Sequence, residues 1–162
     1  MMTFNPADLA TLAPEIFLLG ATCALLLIDL FLKPAQRDVT QALSLIALAA
    51  TAFLVWSGAP AQPVPAFNGM FVRDGVATIL KLFVLLTTAL VLVYGRSYMR
   101  ERKLFVGEFH LLLLFATLGM MLLVSAGSLV TVYLGLELLT LSSYALVALN
   151  RDSVVSSEAA IK

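Results

Sequence analysis

The stretch from Leu129 to Leu149, LVTVYLGLELLTLSSYALVAL, is a long apolar run that contains a single charged residue, Glu137. As an α-helix, its 21 residues would be about 31 Å long, which matches the roughly 30 Å hydrocarbon core of a bilayer. Glu137 would therefore lie near the middle of the membrane, where an ionised side chain costs about 3 kcal/mol or more. A charge at that depth indicates a functional role.

Glu137 belongs to a stripe of polar residues along this predicted helix. Tyr133, Glu137, Thr140 and Tyr144 follow one another at i, i+4, i+7 and i+11, which places them on one face. We expect this face to point into a helix bundle or a hydrated cavity rather than into lipid. The simpler alternative is a protonated glutamate that only hydrogen-bonds a neighbouring helix. In the functional interpretation, its proton affinity changes with the distance to a nearby cation.

The composition is that of a membrane protein. Hydrophobic residues make up 61% of the 162 residues and the mean hydropathy is +1.01, whereas soluble domains are about 45–50% apolar. We predict an all-α integral membrane protein, a polytopic helical bundle in contact with the lipid bilayer. No basic patch suggests nucleic-acid binding. The single cysteine excludes an intrachain disulfide and a metal site built from clustered cysteines.

The apolar runs predict five complete transmembrane helices and the start of a sixth. They cover about residues 12–32, 39–56, 76–94, 108–126 and 129–149, with the sixth starting near residue 156. The proline-containing connection Ser57–Asp74 should be irregular, and Ala116 and Gly119 should allow close helix approach. Because the sequence ends inside the sixth predicted helix, we expect it to be the N-terminal part of one transmembrane domain in a longer protein.

Basic residues predict the orientation. The loops after spans 1, 3 and 5 contain seven Lys and Arg residues, whereas the loop after span 2 contains only Arg73 and the N-terminal segment has none. Since cytoplasmic loops are enriched in Lys and Arg, the N-terminus should face outside. No signal for an organelle precedes the first span. A multi-pass protein of the bacterial plasma (inner) membrane is therefore expected, with a periplasmic N-terminus.

The remaining ionisable residues of the apolar runs have simple interpretations. Lys81 lies about five residues inside span 3, and its long stem favours snorkelling to the interface. Glu15 is expected to be a charge at the positive end of a helix. Asp29 and Lys33 are spaced as an i, i+4 surface pair. His110 is favoured as an interfacial hydrogen-bonding residue over a proton relay.

Lys162 is the candidate cationic partner of Glu137 within this sequence. If span 6 begins near Ser156, Lys162 lies about 9 Å inside the membrane, whereas Glu137 is about 19 Å from the same end of span 5. The axial gap of about 10 Å is too large for a direct salt bridge. Tyr144 lies at nearly the depth of Lys162 and could connect the two through water. Snorkelling of Lys162 is an equally good interpretation.

Several segments resemble one family over essentially the whole chain. They are APEIFLL at 13–19, GEFH at 107–110 followed by ATLGMML at 116–122, YLGLELLTLSSY at 133–144, and SEAAIK at 157–162. Their order and spacing are similar to those in subunit N of the proton-pumping NADH–quinone oxidoreductase, respiratory complex I. The most specific part is the segment that contains Glu137.

The resemblance implies an antiporter-like membrane subunit that takes part in proton translocation coupled to electron transfer from NADH to quinone. Glu137 corresponds to the family's glutamate on the fifth helix, and Lys162 to its lysine near the start of the sixth. It implies no cofactor in this chain, because NADH and quinone are used by the holoenzyme. The expected partners are other membrane subunits of complex I in a hetero-oligomer, and further lysines on later helices, absent from this sequence, would complete the pathway.

Two alternatives stay open. A related antiporter-like subunit, or a subunit of a cation/proton antiporter, would share the glutamate on the fifth helix, so Glu137 does not distinguish among them; the opening of span 1 favours subunit N. The second alternative is a non-catalytic membrane scaffold. The polar stripe argues against a scaffold, since a purely structural helix has no need of a central acid.

Overall fold

The computed structural model describes residues 6–32, 36–102 and 106–149. Within these ranges the helices are α1 (Pro6–Thr11), α2 (Ala13–Phe31), α3 (Arg37–Ser57), α4 (Gly75–Glu101), α5 (Gly107–Val124) and α6 (Leu129–Val147), and the strands are β1 (Val64–Ala66) and β2 (Phe71–Arg73). Of the helices in the described ranges, α2 to α6 are each long and apolar enough to cross a membrane. The prediction of an all-α multi-pass membrane protein is confirmed. The predicted sixth span lies outside the described residues.

Helix α5 occupies the centre of the packed bundle. It contacts α2, α3, α4 and α6, whereas α2 and α4 each pack on α3 and α5 with little contact between themselves. Within the described chain, 56% of the α5 span is buried but only 11% of the α6 span. The interior is formed by large apolar side chains, among them Leu18, Leu48, Leu85, Leu114 and Met121. Helix α6 is therefore a peripheral helix with one principal neighbour.

Helices α5 and α6 approach each other through glycine. A Cβ atom on Gly119 would lie 2.8 Å from Leu139 N and 2.9 Å from Gly135 O, so backbone meets backbone at this crossing. The prediction that Gly119 allows close helix approach is confirmed. Small residues permit such contacts in membranes, where van der Waals packing drives helix association. On α6 the buried residues are Gly135 and Ser142, which defines the face that it turns toward α5.

The connection Ser57–Asp74 was predicted to be irregular, and this prediction is wrong in part. Strands β1 and β2 form an antiparallel hairpin in which Val64 pairs with Arg73 and Ala66 with Phe71. The prolines at positions 60, 63 and 65 suggested a structureless loop because proline lacks a hydrogen-bond donor. A two-stranded sheet has only edge strands, and an edge strand accommodates proline on its unpaired side.

The tip of the hairpin is a tight turn docked on the helices. Phe67, Asn68 and Gly69 have φ angles of 48°, 54° and 83°, a left-handed run that asparagine and glycine adopt most readily. The carbonyl oxygen of Met70 accepts hydrogen bonds from Gly127 N at 2.9 Å and from Thr131 Oγ1 at 2.8 Å. The tip is thus fixed to the turn between α5 and α6.

The hairpin covers the end of the bundle at which α2, α4 and α6 begin, which we call the hairpin end. Val72 N donates to Ser125 O at 2.8 Å, and Phe71 forms an isolated bridge with Ala126. On the other side, Phe67 N donates to Asp8 Oδ2 of α1 at 3.2 Å. Three separate parts of the chain are therefore tied together at this end.

The end of the bundle away from the hairpin, the opposite end, is rich in charge. Helix α4 continues to Glu101, beyond the predicted limit at residue 94. Its 27 residues span about 40 Å, so its last turns project past a bilayer core. There Asp38 of α3 lies 2.8 Å from Arg96 and also pairs with Arg100. These exposed pairs let the helix extend into water.

Candidate functional site: two acids in apolar helices

Glu137 lies near the middle of α6, as the sequence predicts. It is the ninth of 19 residues, so it is about 12 Å from the start of the helix and about 15 Å from its last residue. Its side chain is half-buried. The Tyr133 hydroxyl, one turn earlier, lies beside the carboxylate and can interact with it. Thr140 Oγ1 donates to its own helix, to Leu136 O at 2.8 Å and Glu137 O at 3.2 Å.

The polar stripe does not face the interior of the described bundle, so the expectation that it points into a helix bundle or a hydrated cavity stays a prediction. Tyr133 and Tyr144 are 61% and 56% exposed, and Glu137 and Thr140 are half-buried. The reason is the α5–α6 crossing, which places the small residues of α6 against α5 and turns the stripe away from it. The stripe is therefore an uncovered face of the described chain. The predicted partner Lys162 lies outside the described residues.

Lys81 does not snorkel, so that prediction is wrong. Its side chain is buried, and Nζ lies 2.6 Å from Oε1 of Glu15, which is also buried. Side chains on a helix lean toward its N-terminus. From the seventh position of α4, Lys81 therefore reaches toward the hairpin end, where Glu15 is the third residue of α2. Glu15 lies in the first turn of α2, as predicted for a helix-end charge, but the prediction missed its burial and its pairing with Lys81.

Phe71 of the hairpin completes this ion pair. The Lys81 Nζ atom lies 4.8 Å from the centroid of the Phe71 ring, within the range of a cation–π interaction. Phe71 is itself buried. The structure thus brings together three residues from α2, α4 and β2 that sequence reasoning treated separately.

A helical pattern in the sequence could have predicted that Lys81 lies on the buried face of its helix. The buried face of α4 contains Thr78, Lys81, Leu85, Thr88 and Leu92, which recur every three or four residues. Such spacing marks the inward face of a helix. Lysine on that face needs a partner because a buried unpaired charge is costly. The identity of the partner on another helix carries no comparable local signal.

His110 and Asp29 lie at the opposite end of the bundle. His110 is fully buried, and its Nδ1 atom lies 3.2 Å from Val106 O. Asp29 accepts a hydrogen bond from Thr40 Oγ1 at 2.7 Å and pairs with Arg37. Asp29 is therefore partly buried and pairs with the next helix, and its predicted pairing with Lys33 stays a prediction. Lys33 lies outside the described residues.

Each of the two acids lies next to another ionisable side chain. No group of three or more His, Cys, Asp or Glu residues within 6–32, 36–102 and 106–149 could hold a metal ion. Lys81 is the ionisable neighbour of Glu15, and Tyr133 is that of Glu137.

Comparison with known proteins identifies the group to which this arrangement is related. The family described as "NADH:quinone oxidoreductase/Mrp antiporter, TM" matches residues 126–162, the part that contains α6 and Glu137. The chain is 49% identical to NADH-quinone oxidoreductase subunit N of Thiobacillus denitrificans over 162 residues, which is 100% of this chain and 32% of the relative. The resemblance seen in the sequence is confirmed.

Other relatives agree with this match. Identity is 53% over 156 residues to subunit N of Xanthomonas euvesicatoria pv. vesicatoria, covering 96% of this chain and 32% of the relative. It is 47% over 161 residues to subunit N of Thioalkalivibrio sulfidiphilus, covering 99% of this chain and 34% of the relative. The chain thus spans about a third of the length of the curated relatives it matches.

Proposed function

We propose that the full-length protein is a membrane subunit of an NADH–quinone oxidoreductase and takes part in proton translocation coupled to electron transfer from NADH to quinone. The enzyme is a translocase as a complex, and this chain performs no redox chemistry. Its partners would be other membrane subunits of the complex. The support is similarity to subunit N along the whole chain together with the geometry of α6.

The observation that carries the proposal is the position of Glu137. It is an acid about 12 Å along a membrane-spanning helix, half-buried, with Tyr133 beside it and a polar face open on the outside of the described bundle. An uncovered polar face in a membrane protein requires another helix or water against it. Glu137 is therefore placed to bind and release a proton toward whatever covers that face.

The mechanism is electrostatic. A cation near the carboxyl group stabilises its ionised form, and removal of that cation favours protonation. A rearrangement driven by quinone reduction elsewhere in the complex would change this distance and move a proton. Lys162 is our candidate contributor to the same route, with Tyr144 at its depth, and Thr140 and Tyr133 line the route beside Glu137. Lys81 and His110 are not assigned to this route.

We further propose that the hairpin end faces the periplasm and that the membrane is the bacterial plasma membrane. Arg37, Arg96, Arg100 and Arg102 lie at the opposite end, which would then be cytoplasmic according to the enrichment of basic residues in cytoplasmic loops. At the hairpin end, Arg73 is directed to the end of α3, where Nη2 donates to Leu54 O at 3.3 Å.

Replacing Glu137 tests the proposed function. In the intact complex with the full-length subunit, Glu137→Gln keeps the shape of the side chain but removes its ability to ionise. We expect fewer protons translocated per NADH oxidised, at an unchanged amount of assembled complex. Proton uptake by vesicles containing the purified complex measures this ratio.

The matched control is Glu101→Gln, which removes an exposed acid at the last residue of α4. It should leave the proton ratio at the wild-type value. A wild-type ratio in Glu137→Gln would overturn the assigned role. The scaffold interpretation would gain support if the whole stripe could be made apolar without loss of translocation.

A further inference from the structure

The pair of Glu15 and Lys81 is a second ionisable centre that the proposed role of Glu137 does not use. Both side chains are about 3% exposed, and they join α2 to α4, two helices that make little direct contact with each other. The pair is therefore not a by-product of a tight helix–helix interface. It sits inside the bundle, bounded by α3 and α5, which pack on both α2 and α4.

Stability alone gives a weak reason for this pair. Removing two charges from water costs several kcal/mol for each ion, and well-packed apolar residues of similar volume often serve as well or better. The same position could be filled by leucine and methionine, and leucine is already the most frequent buried apolar residue of the described chain. A buried ion pair in an apolar bundle thus calls for a role that apolar side chains cannot perform.

Buried polar atoms at the hairpin end include two with unused hydrogen-bonding capacity. Glu15 Oε2 is buried and has no hydrogen-bond partner among the described residues. Ser125 Oγ, at the hairpin end of α5, is also buried without a partner in that part of the chain. Buried polar atoms are almost always satisfied by protein or by ordered water. The free carboxylate oxygen can bind a proton, and the ammonium group beside it favours release of that proton again.

Phe71 separates the pair from the hairpin end. Its ring contacts Lys81 Nζ, and its own backbone is held by the bridge to Ala126 and by the strand pairing with Ala66. The neighbouring backbone bond from Val72 N to Ser125 O connects the same strand to α5. The hairpin thus forms a cover over the ion pair that is anchored to the turn preceding α6.

We propose that Glu15 and Lys81 form a second proton-binding site, which exchanges with the aqueous phase at the hairpin end past Phe71. In the resting state the negative charge of the Glu15 carboxylate and the positive charge of the Lys81 ammonium group cancel. Uptake of one proton on Glu15 Oε2 gives a carboxylic acid beside the ammonium group, with a net charge of +1. Release of that proton restores the ion pair, so one proton enters and one leaves.

Other charges modulate this site. Arg73 and Asp74, at the junction of β2 and α4, are the further charged groups that act on Lys81 in the described residues. They have opposite signs and lie next to each other in the chain. The site therefore has one cationic and one anionic side chain near it, both just before the start of α4.

The inference rests on the proposed function, and the experiment uses the intact complex with the full-length subunit. The variant is the double substitution Glu15→Leu with Lys81→Met, which removes both charges and keeps similar volume. We expect assembly at the wild-type level with a loss of protons translocated per NADH oxidised. Wild-type assembly with a wild-type proton ratio would overturn the proposal and leave the pair a structural contact.

The matched control is Thr88→Val, two turns further along the same buried face of α4. Thr88 Oγ1 lies 3.0 Å from Thr117 Oγ1, so this change also disrupts a buried polar interaction between helices. It should leave the proton ratio unchanged. If Thr88→Val lowered the ratio as much as the double variant, general disturbance of the bundle would explain both results, and the proposal would fail.

A second measurement covers the case in which the double variant does not assemble. Infrared difference spectra between the resting complex and the complex during NADH oxidation report changes in carboxylic acid protonation. We expect a carboxylic C=O signal that Glu15→Gln abolishes and Glu15→Asp shifts but retains. The same signal persisting in Glu15→Gln would overturn the proposal. A normal ratio in Glu137→Gln, by contrast, would count against the proposed function and not against this infrared assignment.

Discussion

Glu15 and Glu137 are both acids in apolar membrane helices, yet their surroundings are opposite. Glu15 on α2 is buried, has Lys81 within 2.6 Å and lies beneath the hairpin. Glu137 on α6 is half-buried in a stripe whose tyrosines are exposed. One centre is completed inside the described chain, and the other presents an open face. Both residues are glutamates, so the packing of the neighbouring helices decides whether the side chain is buried with a partner or lies on an open face.

The difference follows from how each helix is packed. Helix α2 contacts α3 and α5 and has the hairpin near its start, so the face that contains Glu15 is covered. Helix α6 has α5 as its principal neighbour and uses small residues to approach it. Its polar face is therefore turned away from the bundle. The partners of Glu15 are all among the described residues. The partners of Glu137 would belong to whatever lies against the polar face of α6.

The largest expected effect is a difference in the stability of the complex when the surroundings of each acid are changed. Lys81→Met with Glu15 retained leaves a buried carboxylate without its cation, which costs about 3–5 kcal/mol in known cases. Glu137→Leu removes an acid that forms no salt bridge within the described residues and should cost less. We expect a clear loss of assembled complex for the first change only, measured by the thermal unfolding midpoint and yield of the purified complex. Equal yields would erase the contrast between the closed and open sites.

An intermediate effect tests why the stripe is turned outward. Gly119→Leu inserts a side chain where even a Cβ atom would lie within 3 Å of the α6 backbone, so α6 must move. Overpacking of this kind costs about 1–3 kcal/mol. The control is Gly20→Leu on α2, where an added Cβ meets no atom within 4 Å. A lower unfolding temperature for Gly119→Leu than for Gly20→Leu is expected; the reverse order would contradict the crossing.

The smallest effect concerns the open face itself. Tyr133→Phe removes a hydroxyl that is exposed and lies beside Glu137. Since exposed positions usually change stability by less than about 0.5 kcal/mol, the unfolding temperature of the complex should stay the same. A large loss of stability would show that the stripe is tightly packed in the complete complex. The difference in burial between Glu15 and Glu137 would then hold for the described chain but not for the complete complex.

The membrane spans were predictable because hydropathy is a local property of the chain. Each of the five predicted spans corresponds to a helix. The ends were less accurate. Helix α3 begins at Arg37 rather than Val39, and α4 runs to Glu101. Charged residues limit the spans that hydropathy predicts, but α3 and α4 continue past these limits, where Asp38 pairs with Arg96 and Arg100.

The candidate site was predictable only in part. The position of Glu137 in the middle of a long apolar run follows from counting residues, and so does the polar stripe. The direction of that stripe was not predictable, because it depends on which face of α6 carries the small residues that contact α5. The role of Glu137 and that of Lys162 stay predictions. For Lys81, the preference for snorkelling ignored the inward face that its threonine and leucine neighbours define.

The sequence by itself determined the class of the protein, its five spans, the depth of Glu137 and the resemblance to subunit N. These depend on composition, spacing along one helix and the order of short segments. Only the tertiary structure paired Glu15 with Lys81, placed Phe71 over them and turned the stripe of α6 outward. The physical reason is that a buried charge is stabilised by a partner across space. That partner is 66 positions away along the chain, beyond the reach of any local pattern.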